Sequence, residues 1–393
     1  MAAISLLIKP VGGMCNMRCR YCFYRDEQEK RSGAECRRME LSTLEAVFKK
    51  TLPYAEGRCV IVYQGGEPTL AGLDFFRKAV ELEKAYASPR CTPEHAIQTN
   101  GLNIDREWAE FFALENILVG VSLDGDKALH DLNRVDAAGK GTHRRVMQAV
   151  SLLQASGVQF NTLCVVTNQT CRAAERTYHF FAENGLRWQQ YIPCLSPLDC
   201  AEPPAWALTP ARYGAFLRTQ FDCWYRDLMA GTFCYNRYFD NLVGILVGNQ
   251  PEACDMRGAC SPQLVVEADG SVYPCDFYCL DGFRLGNFLT DDLEQIERQR
   301  EKLRFLTDSA QPAPDCAACP WRLLCRGGCR RHRTASGAPD APLERSRFCE
   351  AYRAFFEYAY PRLCQLAAMV RRSRNGSGPS QNRMESGAHG ANR

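Results

Sequence analysis

The sequence predicts an α/β fold built on a parallel sheet, followed by a smaller cysteine-rich domain. In the first half of the chain, six short apolar runs rich in β-branched residues are each followed by a longer segment with apolar residues at three- and four-residue spacing. In the second half, nine of the 22 cysteines lie between residues 254 and 349. A length of 393 residues and a formal charge of +3 fit two or three globular domains and exclude a disordered chain or a basic nucleic-acid-binding protein.

Six strands and five helices follow from this periodicity. The strands are predicted over residues 4–8, 59–63, 96–99, 117–122, 158–166 and 188–192. The helices are predicted over residues 42–52, 73–86, 106–114, 143–156 and 171–184. Ser42, Asp74 and Asp105 stand where helix N-caps are expected, and Gly157 and Gly185 stand where two of the helices should end.

The pattern changes after about residue 205, which suggests further domains. We predict that the strand–helix units occupy residues 1–205, that residues 206–249 form a helical connector, and that residues 250–350 form a domain held together by metal. A C-terminal helix is predicted over residues 351–372. Residues 373–393 contain no Leu, Ile, Val or aromatic residue and are rich in Gly, Ser and Asn, which predicts a disordered tail.

The N-terminus and the cysteine content together predict a cytoplasmic metalloprotein. The first apolar stretch, residues 2–8, has no basic residues before it and is too short for a signal-peptide core or a membrane span. In a reducing cytosol, clustered cysteines are metal ligands more often than disulfides, because glutathione and thioredoxin keep free thiols reduced.

A parallel sheet places its functional loops at the carboxyl ends of its strands. The polar and glycine-rich residues of this chain follow the predicted strands in that way: Gly65, Gly66, Glu67 and Pro68 after the second, Thr99, Asn100 and Gly101 after the third, and Ser122, Leu123, Asp124 and Gly125 after the fourth.

The loop after the first strand carries Cys15, Cys19 and Cys22 in the pattern CxxxCxxC. Three thiolates can hold three corners of a [4Fe-4S] cluster and leave the fourth iron open to a small molecule. The alternative is a structural zinc site that a distant Cys or His completes.

A second set of eight thiols lies in the cysteine-rich region: Cys254, Cys260, Cys275, Cys316, Cys319, Cys325, Cys329 and Cys349. Eight thiolates can ligate two further four-iron clusters completely, and closed clusters of this kind suit electron transfer better than substrate activation. The alternative is a zinc ribbon over residues 316–329, since CxxC beside CxxxC also fits tetrahedral zinc. Cys279, four residues beyond Cys275, could compete as a ligand.

The first cysteine motif and the GGEP turn resemble those of the radical S-adenosylmethionine (SAM) superfamily. The resemblance implies a partial (β/α)6 TIM-like barrel, with SAM bound to the open iron of the first cluster and its methionine amino group received by the GGEP motif. It also implies a set of cofactor contacts: Tyr21, Gly65, Gly66, Glu67, Ser122, Arg134 and Leu195.

The cysteine-rich region resembles the SPASM extension of radical enzymes that modify peptides and proteins. By this resemblance, one auxiliary cluster is held by Cys254, Cys260, Cys275 and Cys329. The other is held by Cys316, Cys319, Cys325 and Cys349, so that the chain carries three [4Fe-4S] clusters.

Within this group, residues 4 to about 366 are most similar to the anaerobic sulfatase-maturating enzymes, through the runs KPVGGMCNMRCRYCFY and VYQGGEPTL and through Asp276 directly after Cys275. The resemblance implies oxidation of a sulfatase Cys or Ser to Cα-formylglycine. The 5′-deoxyadenosyl radical would remove a Cβ hydrogen, Asp276 the proton and an auxiliary cluster the electron. The implied partners are a sulfatase segment of CxPxR or SxPxR type and an external electron donor, with no nucleic acid and no membrane.

Several of these assignments have structural alternatives. Asp276 could cap a turn, and Tyr24 and Gln64 could be packing residues instead of lining the peptide cleft. Leu195 could be a core residue, and Arg134 could form a surface ion pair with Asp131 or Asp136. Two alternative functions also remain: a SPASM maturase that forms a thioether or carbon–carbon crosslink, and a non-enzymatic iron–sulfur or zinc protein that serves as electron carrier or scaffold.

Overall fold

The structure, a computed structural model, describes residues 3–32 and 37–376. Its strands, numbered in chain order, are β1 (Ile4–Ile8), β2 (Cys59–Tyr63), β3 (Pro93–Thr99), β4 (Leu118–Ser122), β5 (Phe160–Val166), β6 (Trp188–Pro193), β7 (Tyr235–Asn236), β8 (Leu264–Val266), β9 (Ser271–Tyr273) and β10 (Gly286–Asn287). They form one sheet in the order β10-β9-β8-β1-β2-β3-β4-β5-β6-β7. Neighbours from β1 to β7 are parallel.

Helices connect the strands and continue through the second half of the chain. Those that accompany β1 to β6 are α1 (Phe23–Glu29), α2 (Leu41–Thr51), α3 (Leu73–Tyr86), α4 (Arg106–Leu114), α5 (Lys127–Asn133), α6 (His143–Ala155) and α7 (Ala174–Glu183). The later ones are α8 (Pro210–Met229), α9 (Arg237–Leu246), α10 (Leu293–Leu303), α11 (Phe305–Ser309), α12 (Arg322–Cys325) and α13 (Cys349–Gly376).

The predicted α/β architecture is confirmed. All six predicted strands form, with ends that differ from the prediction by at most three residues, and the five predicted helices form between them. The short helices α1 and α5 were not predicted, because seven residues are too few to repeat an apolar spacing of three and four.

Two of the three predicted N-caps are wrong. Asp105 does cap α4, since its side chain accepts a hydrogen bond from the Trp108 backbone N–H. Helix α2 begins one residue before Ser42, so Ser42 lies inside it. Helix α3 follows Gly72, whose φ of +89° ends the preceding 3-10 turn, and Asp74 lies in the first turn instead of capping it.

The cysteine-rich region extends the barrel sheet. Strand β8 pairs with β1 in parallel, through Leu6 opposite Leu264, and β9 and β10 continue from it in antiparallel pairs. The backbone N–H of Lys9, just after β1, donates to the Val266 carbonyl at 2.8 Å. This pairing brings the loop after β9, which contains Asp276, to the carboxyl end of β1.

The predicted domain boundaries stay predictions, and the structure gives the elements that lie between them. The predicted connector, residues 206–249, contains α8, β7 and α9, and the segment before β8 follows it. The predicted C-terminal helix corresponds to α13, which packs along α8 and α9 through aromatic residues such as Phe221, Phe239 and Phe355. Helix α13 continues four residues past its predicted end, and residues 377–393 of the predicted tail lie outside the described residues.

No helix within residues 3–32 and 37–376 is long and apolar enough to cross a lipid bilayer.

Candidate active site

The first cysteine loop lies between β1 and α1, with Cys22 as the N-cap residue of that helix. Burial is the main reason that the pKa of Cys15 is raised to about 12, and the charges of Glu67, Cys19 and Cys22 raise it further. Cys15 is exposed at the surface of the loop, and Cys19 and Cys22 are partly buried. Neighbouring thiolates destabilise one another unless a cation neutralises them. The three thiols are therefore a suitable donor set for the irons of one cluster.

The glycine-rich turn after β2 packs directly on this loop. The backbone N–H groups of Gly66 and Glu67 donate to the carbonyls of Gly12 and Met14, both at 2.8 Å. A Cβ atom at Gly66 would lie 2.0 Å from the Met14 carbonyl oxygen, and Gly65 has a φ of +112°. Only glycine allows this approach, so the structure brings the two predicted motifs into contact.

The Glu67 carboxylate is fully buried and organises the end of β3. It accepts hydrogen bonds from the hydroxyls of Thr69 and Thr99, at 2.5 and 2.7 Å, and from the backbone N–H of Asn100 at 2.7 Å. Burial raises its pKa, and these hydrogen bonds oppose the rise. The Asn100 amide in turn lies 3.6 Å from the Cys15 sulfur, so the polar loop after β3 also reaches the first cysteine loop.

Arg134 and Tyr21 meet at a buried carboxylate. The Arg134 Nε lies 3.0 Å from Asp124 Oδ2, and the Tyr21 hydroxyl donates to the same oxygen. The Arg134 guanidinium also lies 5.5 Å from the Tyr21 ring centroid. Burial raises the pKa of Cys19 to about 11, and the charge of Arg134 opposes this rise. Asp124 had been noted only as part of the loop after β4. Its role was missed, although an acid directly after a buried strand was the available signal.

The surface ion pair considered for Arg134 is wrong. Asp131 pairs with a lysine one turn earlier on α5, and Asp136 pairs with an arginine on α6, while Arg134 itself is buried. Ser122 lies half-buried at the last position of β4. Leu195 is 9% exposed just after β6, at the same edge of the sheet.

Asp276 lies at the centre of a polar group assembled from distant parts of the chain. Its Oδ2 accepts hydrogen bonds from the Tyr24 hydroxyl at 2.7 Å and from Gln64 Nε2 at 2.8 Å. Gln64 Nε2 also donates to the Tyr24 hydroxyl at 2.7 Å. On the other side, Lys9 Nζ lies 3.0 Å from Asp276 Oδ1. The structure thus joins three of the predicted residues at one carboxylate.

Lys9 is the residue of this site that the sequence analysis missed. Its ammonium group is buried and lies 3.2 Å from Glu267, 3.9 Å from Glu27 and 3.0 Å from the Cys279 sulfur. Although burial lowers its pKa, the charges of Asp276, Cys279 and Glu267 raise it well above the usual value, so Lys9 is a cation. A lysine directly after a mostly apolar, buried strand was the signal that could have identified it.

Four thiols of the cysteine-rich region lie close enough to influence one another: Cys254, Cys260, Cys275 and Cys329. Burial raises the pKa of Cys275 well above its usual value, and the charges of the other three thiols add to this rise. Cys279 is not part of this group, because its thiol contacts Lys9 and packs against Leu7, Val265 and Tyr273.

The four remaining thiols, Cys316, Cys319, Cys325 and Cys349, line one cavity of about 490 Å³. Burial, together with the charges of the other three, raises the pKa of Cys325 to about 11. A zinc ribbon over residues 316–329 would need Cys329 in this group, whereas the structure places Cys349 there. Each of the two groups offers four thiol donors, as closed clusters require.

Comparison with known proteins identifies the same two domain families that the cysteine motifs resemble. Residues 10–181 match the radical SAM superfamily, and residues 254–320 match the SPASM iron–sulfur cluster-binding domain. The chain is 40% identical over 372 residues, 94% of its length and 100% of the relative's, to a cysteine-type anaerobic sulfatase-maturating enzyme of Clostridium perfringens. It is 31% identical to a serine-type enzyme of Bacteroides thetaiotaomicron, over 91% of this chain and 90% of that one.

The fold is also similar to that of solved structures. The structure of native anSMEcpe with bound AdoMet and Cp18Cys peptide superposes with a TM-score of 0.88 at 40% identity, over 94% of this chain and 100% of the other. The structure of native anSMEcpe with bound AdoMet alone also gives a TM-score of 0.88, at 41% identity over 93% of this chain and 99% of the other.

Proposed function

Because the chain belongs to the anaerobic sulfatase-maturating enzymes, radical SAM oxidoreductases with a SPASM domain, we propose that its target is the cysteine of a CxPxR-type sulfatase segment. These enzymes oxidise an active-site Cys or Ser of a sulfatase to Cα-formylglycine. Three relatives named as cysteine-type are 40% identical to this chain, whereas three named as serine-type are 29–31% identical, which supports a cysteine target. Family membership sets aside the crosslinking and non-enzymatic alternatives.

The observation that carries the proposed mechanism is the arrangement around Asp276. A base that removes the thiol or alcohol proton must be ionised and held at a fixed place. Lys9 supplies a cation at 3.0 Å, and Tyr24 and Gln64 fix one carboxylate oxygen. We therefore assign Asp276 as the base, Tyr24 and Gln64 as residues that orient it and line the peptide cleft, and Lys9 as its counter-charge.

Three [4Fe-4S] clusters and S-adenosylmethionine supply, when bound, the 5′-deoxyadenosyl radical and the acceptor for the second electron. The proposed ligands of the first cluster are Cys15, Cys19 and Cys22, and those of the auxiliary clusters are the two four-cysteine groups described above. For the cofactor, we assign backbone contacts to Gly65, Gly66 and Glu67, and side-chain contacts to Ser122, Leu195 and Arg134. Asp124 pairs with Arg134 and accepts a hydrogen bond from Tyr21, so these two residues hold the Arg134 guanidinium in place.

A peptide assay tests the proposed target. Reduced holoenzyme and SAM are incubated with two peptides that differ only in carrying CxPxR or SxPxR, and aldehyde is measured by hydrazide trapping and mass spectrometry. We expect aldehyde to form on both peptides and faster on the cysteine peptide. Exclusive reaction of the serine peptide would contradict the cysteine target. Production of 5′-deoxyadenosine with no change in either peptide would contradict sulfatase maturation altogether.

We propose that the external electron donor docks at the mouth of the cavity lined by Cys316, Cys319, Cys325 and Cys349. Arg257, Arg322, Arg326 and Arg353 line this cavity, and none of them forms an ion pair within the described part of the chain. Leu323, at the same mouth, is 58% exposed. Several cations without an ion-pair partner, beside an exposed apolar side chain, fit a small, acidic one-electron carrier. Reduced electron carriers and cysteines that serve as cluster ligands both require a reducing compartment. We therefore place the protein in the cytoplasm.

Charge reversal at this mouth should weaken electron delivery. We expect Arg322→Glu with Arg353→Glu to lower the rate of cluster reduction by reduced flavodoxin, used as the acidic probe, by about tenfold or more at low salt. The rate with dithionite should stay unchanged, because that small reductant needs no docking surface. Arg144→Glu, on the barrel helix α6, is the matched control. Equal rates for the double variant and for this control would exclude the proposed surface.

A further inference from the structure

Arg330 is a buried cation whose hydrogen bonds are incomplete. It directly follows Cys329 and is 3% exposed. Its Nη2 donates to the Pro339 carbonyl at 3.3 Å, but its Nε and Nη1 have no hydrogen-bond partner among the described residues. No carboxylate of residues 3–32 and 37–376 forms an ion pair with it. A buried charge without a counter-charge is costly, so this position calls for a negative group that the side chains do not supply.

The protein groups around the Arg330 guanidinium do not neutralise it. Its central carbon lies 4.7 Å from the Phe305 ring centroid and 5.7 Å from that of Tyr278. Arg333 is close enough for the charge of Arg330, after burial, to lower its pKa. Aromatic faces attract a cation only weakly, and a second arginine repels it.

Arg330 directly follows one member of the four-cysteine group of Cys254, Cys260, Cys275 and Cys329. Cys260 and Cys275 pack against the apolar cluster that contains Tyr278 and Phe305. The Arg330 guanidinium lies over those same two rings, so it shares their surroundings with the two thiols.

A second unpaired donor points to the same group. The Tyr278 hydroxyl is buried and has no hydrogen-bond partner in the described part of the chain. Its side chain lies in the cluster against which Cys260 and Cys275 pack, and its backbone N–H donates to the Cys275 carbonyl at 3.0 Å. Two buried donors without acceptors therefore converge on one set of four thiols.

We propose that Arg330 is the counter-charge of the auxiliary cluster held by this group, that Arg330 and Tyr278 donate hydrogen bonds to its sulfur atoms, and that both raise its reduction potential. A nearby cation and hydrogen bonds to sulfur favour the more negative, reduced state of a cluster. The source of the electron rests on the proposed function. There, the peptide loses a Cβ hydrogen to the radical and its thiol proton to Asp276. The peptide is then oxidised by one electron, and this cluster is reduced by that electron.

Arg333 shows by contrast what a structural arginine looks like here. Its Nε donates to the Glu344 carbonyl at 3.2 Å, its Nη1 to the Ser309 carbonyl at 2.7 Å, and its Nη2 to the Gln311 carbonyl. All three donors therefore have backbone oxygens as acceptors, and two of these acceptors lie in the segment before Cys316. The free donors of Arg330 lie beside the other cluster group, which supports a role toward that cluster alone.

Redox titration of the reconstituted holoenzyme, followed by electron paramagnetic resonance, tests the inference. The signal that shifts when SAM is added identifies the first cluster, and the other signals belong to the auxiliary clusters. We expect Arg330→Met to move the midpoint potential of one auxiliary cluster to more negative values and to leave the other two clusters unchanged. Arg330→Lys and Tyr278→Phe should move the same potential less. Arg298→Met, on the exposed face of α10, is the matched control.

An unchanged potential in Arg330→Met, with full iron content, would overturn the inference. Should that variant fail to fold, Tyr278→Phe and Arg330→Lys decide the question, because unchanged potentials in both would overturn it as well. The titration needs no peptide. A potential that falls in a protein unable to oxidise peptides would therefore support the role of Arg330 and reject only the proposed function.

Discussion

Asp276→Asn should lower the rate of formylglycine production by about 10²–10⁴-fold, the usual contribution of a positioned general base. Asparagine has nearly the same shape and can still accept a hydrogen bond from Tyr24, whose hydroxyl lies 2.7 Å from the carboxylate. It cannot, however, take a proton from the substrate. Iron content and SAM binding should be unchanged, because Asp276 is not a proposed ligand of either group. The measurement is the rate of aldehyde formation on a CxPxR peptide, with 5′-deoxyadenosine quantified in the same samples.

The ratio of these two products distinguishes a base from a structural residue. If Asp276 takes the proton, the variant should still produce 5′-deoxyadenosine and so uncouple it from aldehyde. Asp281→Asn is the matched control, since Asp281 lies five residues further along, is exposed, and should leave the ratio unchanged. A wild-type rate of aldehyde formation in Asp276→Asn would remove Asp276 from the role of base.

The sequence could predict most of the barrel because its strands are local. Each of β1 to β6 is a short apolar run between helices, and parallel pairing follows from that alternation. The ends of the helices were harder to predict. Ser42 and Asp74 are good capping residues, but the chain before each had already begun a turn, at Glu40 and Gly72. Local propensity was overridden there by the geometry of the preceding segment.

The active site was predicted in part, and for a physical reason. Residues in motifs, such as Cys15 and Gly66, could be found because their spacing carries the chemistry. Lys9 and Arg330 could not be found in this way, because a lone cation has no spacing. Their importance comes from burial among groups that are far away in sequence: Lys9 and Asp276 are 267 positions apart and meet only because β8 pairs with β1.

Cys329 is a proposed cluster ligand and Cys279 is not, although both lie in the cysteine-rich region. Replacing each in turn tests which cysteines hold the auxiliary clusters. Cys329→Ala should lower the iron content from about twelve to about eight atoms per chain, with matching loss of sulfide, and should abolish peptide oxidation. Cys279→Ala should keep about twelve irons, because the Cys279 thiol contacts Lys9 and packs against apolar side chains. Both substitutions remove one thiol only, so each is the control for the other.

The electron paramagnetic resonance signal that is lost in Cys329→Ala shows which cluster Cys329 holds. Because its thiol lies with those of Cys254, Cys260 and Cys275, Cys329→Ala should remove the same resonance signal as Cys275→Ala. A zinc ribbon or a sequential arrangement of ligands would instead make Cys329→Ala resemble Cys316→Ala. Loss of iron from Cys279→Ala, with full iron in Cys329→Ala, would reverse the assignment. In the interleaved arrangement, residues 316–329 contribute thiols to both groups, so Arg330 can act on one cluster although it follows a segment that mostly holds the other.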